Sequence, residues 1–549
     1  MLKPLVCNLI SVFLQKKTPM PSDCISYQKS GYFSKLMNDY LDEKNHLKIL
    51  YNRFPKAINF AHQITEKQNN FPFENRQILV KSLENQYKNS KISEETSTNI
   101  QLLKDSNTFT ITTGHQLNLF TGPLYFLYKI ISTINLCEQL KKEYPNQNFV
   151  PIYWMATEDH DFEEINHFHF KGKKISWNRA SFGPVGRLST EGLQAVFEQF
   201  SSELSLGENA SFIKELFRKG YLEHTNLADA TRYIANELFK EKGLVIVDGD
   251  DKNLKQLFIP YAKNELLHQT SSEEVLKTNE HLAAYKIQVN PREINLFYIE
   301  DNLRERIVFE NKKYTVLNTN YSFTESEILA ELEHHPEKFS PNVILRPLYE
   351  EVILPNLCYI GGGGELAYWL ELKSNFEANN VTFPILLLRN SALIATQKQV
   401  EKIDKLEMSW ADLFSKQQDL VATKTKLLSN FDIDFTPQKE HLKKQFENLY
   451  TIAAQTDKSF LGAVKAQEVK QIKGLDNLEK RLLKAEKRIL AEKLERMTSL
   501  QNELFPNQSL QERKANFSEY YLAFGPELLD KLFDELKPLE QEFTIIKME

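Results

Sequence analysis

A chain of 549 residues is longer than one hydrophobic core usually serves, so two or three domains are expected. With 41% hydrophobic and 26% charged residues the composition is globular, and a formal net charge of -6 argues against a general nucleic-acid binder. Cys7, Cys24, Cys137 and Cys358 show no C-x-x-C spacing, which excludes a disulfide framework or zinc knuckle and suits a reducing cytoplasm.

Residues 1–19 read as an N-terminal extension. The apolar run "PLVCNLISVFL" is short, no A-x-A cleavage site follows, and Met20 offers a second start. No stretch approaches the roughly 18 continuous apolar residues of a membrane span. Residues 20–103 form a helical segment joining the core, because from about Tyr32 to Leu103 apolar residues recur every three or four positions.

Residues 104–391 have an α/β texture. "TFTITTGHQ" is a β-branched strand. "PLYFLYKIISTINLCEQLKKEYP" is a helix with Pro123 near its first turn and Pro145 beyond its end. "FVPIYWMATED" is the next strand, completing a βαβ unit with parallel, buried strands. "INHFHFKGKKISWNR" alternates around a Lys-Gly-Lys turn and predicts a hairpin. "TNLADATRYIANELFKEKG" is a helix ending at Gly243, and "LVIVDGDD" a strand entering an acidic turn. "EINLFYIEDNLRERIVFENKKYTVLN" is a second β insert, of the kind that covers the open face of a parallel sheet. "NLCYI", four glycines, "ELAYWLELKSNFEA" and "FPILLLRN" give a second strand–turn–helix–strand unit.

Residues 392–505 are rich in Lys, Glu, Gln and Leu. Leu475, Leu478, Leu482, Ala485 and Ile489 step by the heptad alternation of a coiled coil, then the register slips to Leu490, Leu494 and Met497. Thr436-Pro437 interrupts the region, so it folds into two or three long antiparallel helices, either packed on themselves or dimerising. Residues 506–549 carry aromatics and Gly525-Pro526 and return to the core.

Ligands of an open parallel sheet sit outside the carboxyl ends of its strands. Four candidate strands end in polar residues: Thr113, Gly114, His115 and Gln116, with Asn118 just beyond; Glu158, Asp159, His160 and Asp161; Gly361 to Gly364 with Glu365; Arg389, Asn390 and Ser391. A strand end ahead of a helix N-terminus suits an anion, and His115 could donate to it; the alternative is a structural turn. Gly362, Gly364 and Ala367 fit G-x-G-x-x-A, but the ribose-binding acid is missing where Arg389 stands, and no G-K-[ST] follows. The glycines then mark close approach to a ligand or tight packing. Arg346, with Tyr349 beside it, could clamp a carboxylate or phosphate, or pair with Glu350 or Glu351. His160, Glu164, His167 and His169 invite a metal, yet no H-x-x-x-H pair or cysteine supports one, and no metal site is expected. Carboxylates at a strand end suit an ammonium, a sugar hydroxyl or Mg²⁺ on a nucleotide. Cys358 reads as a small buried apolar residue.

"TTGHQLNLFTGPLYFLYKI", "PIYWMATEDHDFEEINH", "ILRPLYEEVILPNLCYIGGGGELAYWLEL", "FPILLLRNS" and "FPNQSLQERKANFSEYYLAFGPELL" together resemble the bacillithiol-biosynthesis cysteine-adding enzymes, the BshC family of cysteine ligases, from about Asp23 onward. The resemblance implies a Rossmann-like parallel-sheet core with inserted connecting segments, as in class I aminoacyl-tRNA synthetases, plus a helical coiled-coil domain forming a homodimer. It implies an amide-forming ligase that joins the carboxyl of cysteine to the amine of glucosaminyl-malate, the last pathway step. ATP with Mg²⁺ would activate the carboxyl. His115 and Gln116 would meet the phosphates, Asp159 an ammonium, and His160 would be the general base. Gly361 to Gly364 would line the nucleotide or sugar side, and Arg389 and Ser391 would stand where synthetases carry a mobile loop. One departure is the lack of a Cys/His cluster for a thiol-selecting zinc. Two rival readings are a nucleotide-dependent oxidoreductase and a non-catalytic coiled-coil scaffold. Neither nucleic acid nor membrane is an expected partner.

Overall fold

The computed structural model describes residues 23–549, so the expected extension over 1–19 lies outside the described residues. Five parallel strands form the central sheet: β1 (Thr108–His115), β2 (Asn148–Met155), β3 (Val245–Asp248), β4 (Asn356–Gly361) and β5 (Ile385–Leu388). Their order is β5-β4-β1-β2-β3. β1 is buried along its whole length, as a parallel strand covered on both faces must be. Its threonines are satisfied across the sheet: Thr112 Oγ1 donates to Asn356 Oδ1 at 2.9 Å and Thr113 Oγ1 to Ile360 O at 2.7 Å.

The chain runs outward from β1 to β3, then returns to lay β4 on the other side of β1. Between β1 and β4 the winding reverses, and there a crevice opens at the carboxyl edge. Helix α1 (Tyr125–Glu143) makes the β1–β2 crossover, with Lys141 and Lys142 in its last turn against the helix dipole. Its buried face, with Phe60 and Ile64 of an N-terminal helix, packs on Phe109, Ile111, Leu357, Ile360 and Leu387 of the sheet. Cys137 and Cys358 are buried.

The link from β1 to α1 is a left-handed turn, with positive φ at Phe120, Thr121 and Gly122. Gly122 (φ 64, ψ -131) adopts a backbone only glycine holds readily. The phenylalanine and threonine are held there from outside. Tyr221 OH accepts from Phe120 N at 2.7 Å, and Asn516 Nδ2 donates to Phe120 O and Gly122 O at 2.8 and 2.6 Å.

Both expected β inserts form. His167–Phe170 and Lys173–Ser176 make the hairpin, and strands Leu296–Glu300, Leu303–Glu310 and Lys313–Val316 run antiparallel in a five-stranded sheet. The tail returns as Glu542–Met548, antiparallel to Asp23–Ser26.

Residues 395–510 are a separate compact unit of helices. Thr436–Ala453, with Pro437 in its first turn, packs on Lys458–Ile489 through Phe446, Ala453 and Val464. The long helix stops at Ile489, where the heptad slips, and Ala491–Leu504 follows. Within this unit Leu478 and Ile489 of the heptad seam remain exposed.

Candidate active site

The crevice is a cleft of about 590 Å³. Its floor is the carboxyl edge of the sheet: Gly114, His115 and Gln116 after β1, Thr157, Glu158 and Asp159 after β2, and Tyr359 and Glu365 beside β4. Tyr125 and Lys129 of α1 close one side. The roof is the antiparallel insert, contributing Arg292, Phe297, Arg304 and Arg306, with Asn342 and Arg346 behind.

His115 is buried, and its Nε2 has no partner. Burial and the Lys129 charge hold its pKa well below the usual histidine value, against a backbone hydrogen bond with Thr121. Nε2 faces no hydrogen-bond partner in the protein. A neutral ring with a bare Nε2 accepts; it does not donate to a phosphate.

Asp159 is the opposite case. Burial alone would raise its pKa, but hydrogen bonds from His160 and Gln116 and the Arg304 charge outweigh it and hold the carboxyl well below the usual range. Gln116 Nε2 donates to Asp159 Oδ2 at 3.0 Å and the His160 amide to Oδ1 at 2.7 Å. His160 itself is half exposed and lies outside the cleft lining. Its Nδ1 accepts from Arg304 Nη1 at 2.6 Å, which leaves the ring proton on Nε2, so a base role requires breaking that contact.

Glu158 belongs to a buried chain of charges. Lys255 Nζ stands 2.6 Å from Glu158 and 3.2 Å from Asp250, and Arg187 holds Asp250 from the far side at 2.7 Å. Burial still raises the Glu158 pKa. This network joins the loops after β2 and β3 and leaves Asp159 as the cleft acid with no lysine or arginine paired to it.

On the β4 side Glu365 gathers the polar groups. Its carboxylate pairs with Lys129 Nζ at 2.6 Å, accepts from Tyr359 OH at 3.0 Å and from Gly362 N at 3.1 Å. Lys129 also donates to Gly114 O at 2.6 Å, tying β1 to β4 across the crevice. The Gly362 amide is therefore already taken and is not offered to a phosphate. Helix α2 (Gly363–Leu370) is capped at Gly362 by its own glutamate, and none of the four glycines lines the cleft. Gly361 is instead a packing glycine, since a Cβ there would sit 2.9 Å from the Tyr359 ring.

Of the sequence-predicted residues, Gly114, His115, Gln116, Glu158, Asp159, Arg346 and Glu365 line one cleft. Thr113 is turned into the sheet. Asn118 donates to Glu164 O at 3.2 Å, behind the cleft. Asp161 is exposed ahead of a short helix. Tyr349 is fully buried and donates to Gly249 O. Arg389 and Ser391 point into the core: Arg389 Nη2 meets Glu512 at 2.7 Å, and Ser391 Oγ donates to the same carboxylate at 3.2 Å. A mobile-loop role is incompatible with that burial. Arg346 does both things the sequence allowed, lining the cleft while pairing with buried Glu350 at 2.6 Å.

Sequence reasoning missed Lys129, Tyr125, Tyr359, Tyr368 and the roof arginines. Lys129 had a signal, a lone cation inside the apolar run "YFLYKII". Arg304 and Arg306 had one too, alternating on a strand read only as a cover. Among the described residues, no group of three or more His, Cys, Asp or Glu could hold a metal ion, and no helix is long and apolar enough to cross a membrane.

These features define a class: a Rossmann-like α/β unit with its cleft at the switch point under an inserted β roof, followed in the chain by a helical coiled-coil unit. Two family descriptions match it in succession, "Bacillithiol biosynthesis BshC, N-terminal Rossmann-like domain" over residues 20–390 and "Bacillithiol biosynthesis BshC, C-terminal coiled-coil domain" over 392–548. A protein of Flavobacterium johnsoniae named "Putative cysteine ligase BshC" is 66% identical over 96% of this chain and 100% of its own length. Proteins of the same name from Flavobacterium psychrophilum and Christiangramia forsetii are 65% and 59% identical over 96% of this chain and 100% and 99% of theirs. The chain belongs to the BshC family.

Proposed function

We propose that this chain is a cysteine ligase of bacillithiol synthesis, forming an amide between the carboxyl of cysteine and the amine of glucosaminyl-malate after ATP-dependent activation with Mg²⁺. The observation that carries the reading is a single cleft floor that holds both the Asp159 carboxylate, fixed by Gln116 and the His160 amide, and His115, whose buried Nε2 has no partner.

A free carboxylate does not acylate an amine in water. Attack of the cysteine carboxylate on a phosphorus of ATP forms an acyl–oxygen–phosphorus link and releases pyrophosphate or ADP. The amine then attacks the acyl carbon. The C–N bond forms, the C–O bond to phosphorus breaks, AMP or phosphate leaves, and nitrogen loses a proton. Asp159, ionised through the neutral range, holds the α-ammonium of cysteine and fixes the carboxyl against the reacting phosphorus. Nε2 of His115 takes the proton. Its low basicity is suited to this, because the attacking nitrogen becomes strongly acidic only as the bond forms. The work falls to His115 rather than His160, whose Nδ1 is engaged by Arg304. Two copies associate through the exposed heptad positions of Lys458–Ile489, and the protein acts in the cytoplasm, in keeping with its buried free thiols.

The test is incubation of the purified full chain with cysteine, glucosaminyl-malate, ATP and Mg²⁺, with product and nucleotide followed by mass spectrometry. The amide is expected together with AMP or ADP. Product without nucleotide consumption overturns the activation scheme. No product, with normal bacillithiol in a deletion strain, overturns the assignment.

A further inference from the structure

The two faces of the cleft carry opposite charge. Acids stand on the floor, whereas the roof presents Arg292, Arg304, Arg306 and Arg346. Among the described residues no carboxylate ion-pairs with Arg292, Arg304 or Arg306. Arg304 is stacked on the Phe297 ring at 4.0 Å, and Asp159, the acid nearest in charge terms, stays beyond ion-pair distance. The Nε of Arg304 and the Nε of Arg306 are both buried with no acceptor.

Buried guanidinium donors without acceptors are costly and uncommon in a folded protein. The same chain shows the ordinary solution at Arg187, whose Nε and Nη2 both meet Asp250; Arg389 in the core also leaves its Nε unpaired, yet its charge is met by Glu512, as those of Arg304 and Arg306 are not. Arg304 spends one Nη1 donor on His160 Nδ1 and has no carboxylate partner, and Arg306 has none either, so two neighbouring guanidinium charges on one wall of a cleft mark a place where the missing anionic acceptors arrive with a ligand. Arg304 and Arg306 lie two residues apart on one strand face, about 7 Å along the strand, so each can take one anionic group. Planar forks of this kind fit carboxylates and phosphates in a bidentate way.

We infer that the roof arginines form a seat for a ligand with two adjacent anionic groups, and that the dicarboxylate arm of the acceptor occupies it while its amine points to the floor. This assignment of the occupant rests on the proposed ligase reading; the seat itself rests on the open donors. It makes Arg304 and Arg306 the specificity-determining residues for the acceptor. The phosphates of ATP share the same chemistry, and the test separates the two sources.

The experiment is calorimetric titration of the full chain with L-malate, glucosaminyl-malate, the methyl glycoside of glucosamine and ATP, each alone. Malate and glucosaminyl-malate are expected to bind wild type, and the glycoside, which lacks the carboxylates, to bind far more weakly. Arg306→Met and Arg304→Met should each weaken both malates by roughly tenfold to a hundredfold, the worth of a charge-assisted pair, and leave ATP unchanged. Arg306→Lys, which keeps the charge without the fork, should fall between, and it serves if the methionine variants melt early. Loss of ATP binding with malate untouched overturns the inference, as does equal binding of all ligands by wild type and variants. Malate binding that depends on the arginines, with no amide formed under any condition, upholds the seat and sinks the ligase reading instead.

Discussion

The two halves of the sheet's carboxyl edge look alike in sequence and differ in the fold. After β1 and β2 the polar residues His115, Gln116, Glu158 and Asp159 line the cleft; Glu158 is paired with Lys255 and Asp159 is held by hydrogen bonds without a cation partner within ion-pair reach other than His160, while His115 Nε2 has no partner at all. After β4 and β5 the Gly362 amide, Arg389 and Ser391 are closed off by partners of their own, Glu365 and Glu512, and none of Gly361 to Gly364 lines the cleft. A strand end therefore nominates a residue for function without deciding it. What decides is whether the molecule supplies the partner. Where it does, the charge holds the chain together, and where it does not, a substrate can.

The sharpest way to break this contrast is on the open half. His115→Asn keeps a polar side chain and removes the bare Nε2. Product formation should fall by about 10²–10⁴-fold, the range for loss of a general base, with the melting temperature nearly unmoved. Asp159→Asn should act on the cysteine side, raising KM for cysteine more than for the acceptor. A variant that melts early but turns over normally per folded molecule would move His115 to the structural half.

The closed half should answer in stability. Arg389→Met leaves Glu512 buried without its counter-charge, and breaking a buried pair costs about 3–5 kcal/mol. Urea unfolding should register that loss, while KM for each substrate stays near wild type. A rate loss without destabilisation would reopen the mobile-loop role for Arg389.

Much of this architecture was legible because its causes are local. Unbroken β-branched and apolar runs mark the parallel strands, Pro123 and Pro145 bracket a helix, and the slip after Ile489 marks a real helix break. The polar strand ends were legible for the same reason. Their fates were not, because each depends on a residue far along the chain. Glu512 stands 123 positions from Arg389, Asn516 holds a turn nearly 400 positions earlier, and Lys255 reaches back to Glu158. No spacing rule carries such pairings. The roof arginines were missed because alternation showed a strand, but not which face would meet a cleft.

A smaller effect probes Arg346, which stands between the halves. Glu350 behind it is fully buried, and burial, opposed by Arg346, pushes its pKa up to about 8. In the unfolded chain a glutamate titrates near 4.3. The native state thus binds the extra proton between these values. Its contribution to stability is complete below about pH 4 and is lost as pH rises toward 8. Glu350→Gln keeps an acceptor for the guanidinium and abolishes that slope. Measured by urea unfolding, the variant should gain on wild type steadily from pH 5 to pH 8. Parallel curves would mean that Glu350 is ionised throughout.

The smallest effect is also the cleanest separator of the two halves. Gly364 lies in the first turn of α2 with a negative φ, and nothing stands within 4 Å of the Cβ it lacks. If the glycine run cradled a nucleotide, a methyl group there would crowd the ligand and raise KM for ATP. If it is a helix start already capped by Glu365, alanine removes only backbone freedom from the unfolded chain. Gly364→Ala should then stabilise the protein by about 0.5–1 kcal/mol, with kcat and KM for ATP unchanged. A higher KM for ATP at unaltered stability would return the glycines to the site. Gly361→Ala is the matched control, because its Cβ would meet Tyr359 at 2.9 Å and must cost stability on either account.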